Sequence, residues 1–558
     1  MCHIPATLLS RIKPSLSRFN ISQSLRSTDL ETHSPSGLFF GNCTNARALF
    51  WMSQDLLKRN KNSRETNPRQ FRWKALEMRG LLLAVLAAFA AVAAGEKKIV
   101  CYYGSWAVYR PGNGKFDISY IDPTLCTHMI YTFVGISEQG EVKILDAWND
   151  LPNDYGKDGF GKFNRLKQLS PTTKTLVAIG GWNEGSIKYS AVMKNPSLRS
   201  TFVNNVVNFV EKYGFDGFDV DWEYPAQRGG SAEDVQNFVQ LLKELKARLA
   251  PKGLLLSAAV GAAESSASQS YDIKAISQHL DFINLMTYDL HGSWEKTIGI
   301  NAPLKPRSDE HGFQRSLNVE AAVNYWLSQG ADPQKLILGT PLYGRSFTLG
   351  DPNRVTPGSP ARGPGDRGIY TKEAGMLGYN EICELLPSWT SQWDEEQQVP
   401  YAYSGDQWVG YDNVRSIELK AKFVLEKNLG GAMLWSIDTD DFLGKCGTQY
   451  PLLKALNHVL RNGPAVPVEP NPPASPVTNK PQYTSTQPSY PSNPGKPPGS
   501  STGGLCSAQG YVRDPVDCSK FYYCNFAGEQ QPAEFRCPGE LAFDPAQNVC
   551  NYADQVQC

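Results

Sequence analysis

Phe215-Asp216-Gly217-Phe218-Asp219-Val220-Asp221-Trp222-Glu223-Tyr224-Pro225 is the stretch of this 558-residue chain from which the fold can be read. Side chains alternate along a β-strand, so Asp219, Asp221 and Glu223 share one face while Phe218, Val220 and Trp222 share the other. Successive acids on that face would lie about 7 Å apart. A calcium site places its ligands on a flexible, watered turn, and a solvated acidic loop has no need of alternating apolar residues. The alternation instead predicts a buried strand. Three carboxylates on one buried face cannot all stay ionised, so one is expected to keep its proton.

Outward from this strand, residues 96–462 alternate short apolar runs with helical patterns. Predicted strands cover 99–103, 128–134, 175–179, 217–222, 254–259, 282–287, 336–340 and 432–436. Such runs suit parallel strands covered on both faces. One predicted helix spans 197–213, with Val203, Val206, Val207 and Val210 at helical spacing and Gly214 past its end. A second starts at Ser231 with Asp234 closing a loose capping box, and Val235, Phe238, Val239, Leu242, Leu245 and Leu249 form its stripe. Eight strands alternating with helices predict an α/β fold, a (β/α)8 TIM barrel. The long interval between the seventh and eighth strands, about 343–410, predicts a small α+β insertion domain. Glu223, the longest of the three acids, then falls at the C-terminal end of a barrel strand, where barrel active sites lie. It is the candidate proton donor, with Pro225 stopping the strand.

Composition narrows the class. Lys+Arg and Asp+Glu number 55 each, a net charge of zero, which argues against a nucleic-acid binder. The balance is uneven: residues 1–94 carry 13 basic and 5 acidic residues, leaving the remainder acidic by eight. Within 1–94, Met78-Arg79-Gly80 precedes an unbroken apolar run over 81–94 that ends in small residues. A basic start, an apolar middle and a small-residue end predict a secretory signal peptide over 78–94, too short for a membrane anchor. Residues 1–77 lack periodicity and are expected to be an unstructured upstream extension, a disordered or targeting leader being the alternative. Localisation is therefore expected to be extracellular, and the twelve cysteines agree with an oxidising compartment.

Residues 463–505 hold twelve prolines among Ser, Thr, Gly and Asn and read as an extended linker. Then Cys506, Cys518, Cys524, Cys537, Cys550 and Cys558 fall within the last 53 residues. A module this small needs staples, predicting a disulfide-rich β module. Zinc is disfavoured because no Cys-x-x-Cys pair and no histidine occur there. Spacing alone does not choose the disulfide connectivity. Among its aromatics, Tyr511, Phe521, Tyr522 and Tyr523 are candidates to stack on pyranose rings, although about half the rings of so small a module must form its core.

The run 216–223 matches an Asp-x-x-Asp-x-Asp-x-Glu signature. Together with Ala178-Ile179-Gly180-Gly181-Trp182, Met286-Thr287-Tyr288-Asp289, Gly339-Thr340-Pro341-Leu342-Tyr343-Gly344-Arg345 and Gly430-Gly431-Ala432-Met433-Leu434-Trp435, it makes residues 97–460 resemble glycoside hydrolase family 18, the chitinases, most nearly the secreted animal type. Cys-Ser-Lys-Phe-Tyr-Tyr-Cys (518–524), Cys537-Pro538-Gly539 and Phe543-Asp544-Pro545 look like a peritrophin-A type chitin-binding domain, over 506–558. The first resemblance implies retaining, substrate-assisted hydrolysis of chitin carried by four catalytic positions. Glu223 is the acid and then the base, Asp221 holds the substrate acetamido group, Asp219 tunes Asp221, and Tyr288 positions the acetamido oxygen. It further implies Trp435 as the floor beneath the sugar. Tyr102, Trp106, Phe133, Gly180, Gly181, Trp182, Asn183, Tyr224, Met286, Asp289, Tyr343 and Arg345 are implied to line the cleft. Implied disulfides are Cys101–Cys126 and Cys383–Cys446 in the barrel, and Cys506–Cys524, Cys518–Cys558 and Cys537–Cys550 in the tail. Chitin and chito-oligosaccharides are the implied partners, with no cofactor, metal, nucleic acid or membrane, and with a monomeric chain. The rival expectation is a chitin-binding lectin that does not cut; the presence of all three acids weighs against it.

Overall fold

The computed structural model describes residues 96–466, 510–524, 533–537, 541–545 and 549–552. The expected signal peptide, the upstream extension and most of the linker lie outside these residues. The chain divides between Ser475 and Pro476 into two units.

The first unit is built on eight parallel strands: β1 (Lys98–Gly104), β2 (His128–Ile136), β3 (Lys174–Gly180), β4 (Gly217–Asp221), β5 (Leu255–Gly261), β6 (Phe282–Met286), β7 (Leu336–Pro341) and β8 (Gly431–Trp435). They pair in sequence order, and β8 returns to pair with β1 while β1 also pairs with β2, so the barrel closes. Every predicted strand is present, within one or two residues. The exception in kind is β4. Its ladder to β3 ends at Gly180–Asp221 and its ladder to β5 at Val220. Trp222 and Glu223 were expected on the strand and instead follow it: β3 ends at Gly180, opposite Asp221, and although β5 runs on to Gly261 the chain after Asp221 no longer pairs with it.

Helices cover the barrel: α1 (Ile187–Lys194), α2 (Pro196–Tyr213) and α3 (Asp234–Leu249) lie beside β3–β5. Asn195 caps α2 through Ser197 and Leu198 N–H groups, Pro196 occupies its first turn, and Gly214 closes it in the left-handed region. Its valines are buried as predicted. The capping box expected at Ser231 is half formed: the Asp234 carboxylate accepts from the Ser231 amide at 2.8 Å, while the Asp234 amide donates to the Ser231 carbonyl and not to its hydroxyl. α3 opens at Asp234, whose buried carboxylate accepts from the Ser231 and Ala226 amides and the Ser190 hydroxyl. That carboxylate thus also serves as a strut for the loop after β4. The loop around Gly140 packs on α2, with Asn205 Nδ2 donating to the Gly140 carbonyl at 3.0 Å.

Between β7 and β8 an antiparallel sheet forms from Ala361–Pro364, Tyr343–Leu349, Gln407–Gly410, Val399–Ser404 and Thr390–Asp394, in that order, with Met376–Gly378 also pairing to Tyr343–Leu349. Its own core holds Phe347, Leu349, Val399 and Trp408, and it also takes in Ile298 and Ile300 from the loop after β6. Disulfides Cys101–Cys126 and Cys383–Cys446 both have Cα–Cα separations of 6.0 Å.

In the second unit, Gly510–Arg513, Lys520–Cys524 and Ala533–Arg536 form one antiparallel sheet, and Leu541–Asp544 pairs with Val549–Tyr552. Phe521 stacks on buried Phe543 at 4.2 Å, while Tyr511 and Phe535 stay half exposed. Tyr522 donates to Asp514 at 2.8 Å. Cys518, Cys524 and Cys537 are disulfide-bonded. Their expected partners Cys506 and Cys558, and the side chains of Cys550 and Tyr523, lie outside what is described.

Candidate active site

Asp219 and Asp221 project into the barrel from alternate positions of β4 and are fully or almost fully buried. Asp219 is saturated by neighbours from three other strands. Tyr102 of β1 donates to Oδ2 at 2.8 Å, Ser257 of β5 donates to Oδ1 at 2.5 Å, and Asn284 of β6 donates to the Tyr102 hydroxyl at 2.9 Å and to Oδ1 at 3.4 Å. Burial lifts the Asp219 pKa to about 6, and these donors, which favour the anion, keep it from rising further.

Asp221 has no such support. Its Oδ1 is buried and has no hydrogen-bond partner among the described residues. Burial, then the charges of Glu223 and Asp219, push its pKa well above the usual carboxylate range. Glu223 is half-buried, and burial raises it to about 7, against the opposing pull of the Tyr224 hydroxyl and the Arg228 charge. The acids therefore share protons near neutral pH, as three carboxylates so placed must.

Glycine permits this crowding. Gly180 has φ +115°, and a Cβ there would fall 2.0 Å from the Asp221 carbonyl oxygen. Gly181, at φ +83°, leaves room for the Phe133 ring, which a Cβ would meet at 2.6 Å. Both conformations suit glycine.

Around the acids stands an aromatic wall. Trp435, at the end of β8, lies 5.5 Å from the Tyr102 ring, 5.7 Å from Phe133 and 6.1 Å from Trp106, and Trp106 stacks on Phe133 at 6.0 Å. On the opposite flank Asp289 accepts from the Tyr343 hydroxyl at 2.6 Å and from Arg345 Nε at 2.7 Å. Tyr288 is buried beside Tyr343, its hydroxyl 3.8 Å from the Met433 sulfur. The insertion strand beginning at Tyr343 thus delivers two polar groups to the barrel mouth. Met286 ends β6, half-buried, and Tyr224 packs close to Gly261. Trp182 is 60% exposed, with the Arg228 guanidinium 3.6 Å over its ring. Asn183 is exposed on the same turn.

Sequence reasoning missed several neighbours. Ser257 and Asn284 underpin Asp219; the available signal was a polar residue inside an otherwise apolar buried strand. Trp294, 61% exposed beside Arg345 at 5.3 Å, and Arg228 sit on loops without a periodic signature. A groove of this kind can stack planar apolar faces of a polymer along its aromatics. It can also present a neutral carboxylic acid and a second, partnerless carboxyl at one point of it.

Comparison with known proteins agrees with this geometry. Residues 98–440 match the model of Glycosyl hydrolases family 18, and residues 506–558 match the Chitin binding Peritrophin-A domain. The chain is 45% identical over 366 residues to Probable chitinase 2 of Drosophila melanogaster, covering 63% of this chain and 74% of that protein. It is 41% identical over 426 residues to the Endochitinase of Manduca sexta, covering 74% and 75%. A solved Group IV chitinase of Ostrinia furnacalis, in complex with allosamidin, superposes with a TM-score of 0.64 at 46% identity, covering 66% of this chain and all of that one. With most of its barrel inside the family match and relatives this similar, the chain belongs to glycosyl hydrolase family 18 and ends in a peritrophin-A chitin-binding domain.

Proposed function

We propose that this protein is a chitinase that hydrolyses β-1,4-linked N-acetylglucosamine polymers within the chain, with retention of configuration. The observation that carries the reading is the unlike treatment of three adjacent acids: Asp219 saturated by donors, Asp221 buried with a free oxygen, and Glu223 half-buried with its pKa near 7. Glu223 is the acid that protonates the glycosidic oxygen as the C1–O bond breaks. The substrate's own 2-acetamido oxygen attacks C1, giving an oxazolinium ion. Asp221, short of a hydrogen-bond donor, takes the acetamido N–H and balances the developing positive charge, with Asp219 sharing a proton with it and tuning it. Tyr288 directs its hydroxyl to the acetamido oxygen, which fixes the attack geometry. Glu223, now anionic, removes a proton from water, which adds to C1 on the retained face.

Trp435 is the floor of the cleavage point. Tyr102, Trp106, Phe133, Trp182, Asn183, Tyr224, Met286, Asp289, Tyr343 and Arg345 line the groove on either side. Supporting the reading are the family membership and the chitinase relatives. The same reading takes residues 78–94 as a signal for secretion, 463–505 as a tether, and the chain as a monomer. No helix among the described residues is long and apolar enough to cross a membrane.

The test is Glu223→Gln on soluble chito-oligosaccharides, with the anomer of the first product followed by NMR. Hydrolysis should vanish while sugar binding persists, and wild type should release the β-anomer first. Near-normal turnover by the variant, or α-anomer first, overturns the mechanism.

A further inference from the structure

Glu223 poses a mechanical problem. It follows the end of β4, so no strand ladder holds its backbone. A proton donor must nevertheless be placed within a fraction of an ångström, since small displacements of reacting groups cost large factors in rate. Something outside the sheet has to fix residues 222–224.

The residues flanking Glu223 meet at one hydroxyl. Trp222, buried beneath the site, donates from Nε1 to Ser186 Oγ at 2.8 Å. Ser186 Oγ in turn donates to the Tyr224 carbonyl at 2.7 Å. Ser186 itself is wholly buried. Its position makes the arrangement telling. Ser186 stands at the N-cap of α1, where a serine hydroxyl ordinarily accepts from an amide of the first turn. Here it makes no capping bond, having been turned toward the acid's loop instead. The ring of Trp222 is held by stacking on Tyr189 at 5.5 Å, so the donor side of the relay is itself rigid. Beyond Glu223, Arg228 Nη1 donates to the Glu223 carbonyl at 2.9 Å and Ser270 Oγ to the Pro225 carbonyl at 2.6 Å. Arg228 is an exposed side chain. Among the described residues Ser186 is the buried group that ties both neighbours of Glu223 together.

We propose that Ser186 is a positioning residue for the catalytic acid, acting through a Trp222–Ser186–Tyr224 relay that holds the segment carrying Glu223. The proposal rests on the assignment of Glu223 as the acid. With one hydroxyl accepting from one flank and donating to the other, both of its principal valences are used. Removing it leaves the Trp222 N–H and the Tyr224 carbonyl without those partners, and the loop between them gains freedom.

The experiment compares full-length wild type, Ser186→Ala, Ser186→Thr, Trp222→Phe and Glu223→Gln on a soluble chito-oligosaccharide, with Tm recorded for each. Ser186→Ala should lower kcat between about tenfold and a hundredfold with KM within about twofold. Ser186→Thr, which restores the hydroxyl, should recover most of that loss. Trp222→Phe, which keeps an aromatic ring but removes the N–H together with part of the buried indole, should lower kcat, again without moving KM. Glu223→Gln should be inactive. Wild-type kcat in a folded Ser186→Ala, with Glu223→Gln inactive, overturns the positioning role alone. Parallel changes in kcat and KM, or no recovery in a folded threonine variant, overturn it too. If the alanine variant does not fold, an unchanged kcat in Trp222→Phe overturns it. Near-normal turnover by Glu223→Gln overturns the acid assignment, and the positioning role with it.

Discussion

Asp219, Asp221 and Glu223 were legible as a set because strand alternation puts every second residue on one face. Their differences were not legible, because those come from residues on other strands. Ser257 and Tyr102 donate to Asp219, so its anion is favoured relative to that of Asp221. The pH profile should record this. Hydrolysis needs protonated Glu223, so kcat/KM should fall as pH rises through about 7. Ser257→Ala removes a donor that favours the Asp219 anion, so that pKa should climb above about 6 and the acidic limb should move to higher pH. An acidic limb that moves down would contradict the assignment. The stability contribution of Glu223 is lost over the same pH range. The folded-state pKa of Glu223 lies above the unfolded value of about 4.3, so folding takes up a proton. Its favourable contribution is complete below the unfolded value and is lost as pH rises through about 7. Glu223→Gln should therefore melt at a higher temperature than wild type near pH 8 and at the same temperature near pH 4. A variant less stable than wild type at the higher pH would refute the burial argument.

The elements themselves were the most legible level. Mostly apolar runs of five to seven residues between amphipathic helices gave away the barrel strands, with β4 marked by its alternating acids, because a strand buried on both faces carries few polar positions to confuse the pattern. The ends were less legible. The last residues of β4 depend on where β3 stops beside it, and the Asp234 carboxylate is shared between the Ser231 amide and the loop after β4. The turn after β3 shows how tightly one element constrains another. Gly180→Ala sets a Cβ against the Asp221 carbonyl and imposes a left-handed backbone on alanine. It should cost roughly 2 kcal/mol or more in stability and lower kcat at least about tenfold, measured by denaturant melts and soluble-substrate kinetics. A fully active, equally stable Gly180→Ala would show that the approach is not needed.

At the scale of the whole molecule, a barrel and a stapled module are joined by a proline-rich stretch. Tethering the module to a solid polymer raises the effective concentration of the barrel at that surface. Removing residues 463–558 should therefore reduce activity on crystalline chitin several-fold while leaving activity on short soluble oligomers within about twofold. Equal losses on both substrates would refute the tether's role. In the module, Phe543 and Phe521 pack into a core while Tyr511 and Phe535 remain half exposed. That division of the rings could not be assigned from spacing in so short a segment.

The barrel, the insertion, the acid-bearing strand and the aromatic residues at the strand ends were readable from the chain alone. These follow from periodicity and from motifs of neighbouring residues, which are local properties of a chain. Only the tertiary structure decided which acid is saturated and which is left with a free oxygen. It alone brought Tyr343 and Arg345 to Asp289, and turned Ser186 from its helix toward Tyr224. Those outcomes depend on hydrogen bonds between residues tens to hundreds of positions apart, and closure of the barrel is what sets their distances.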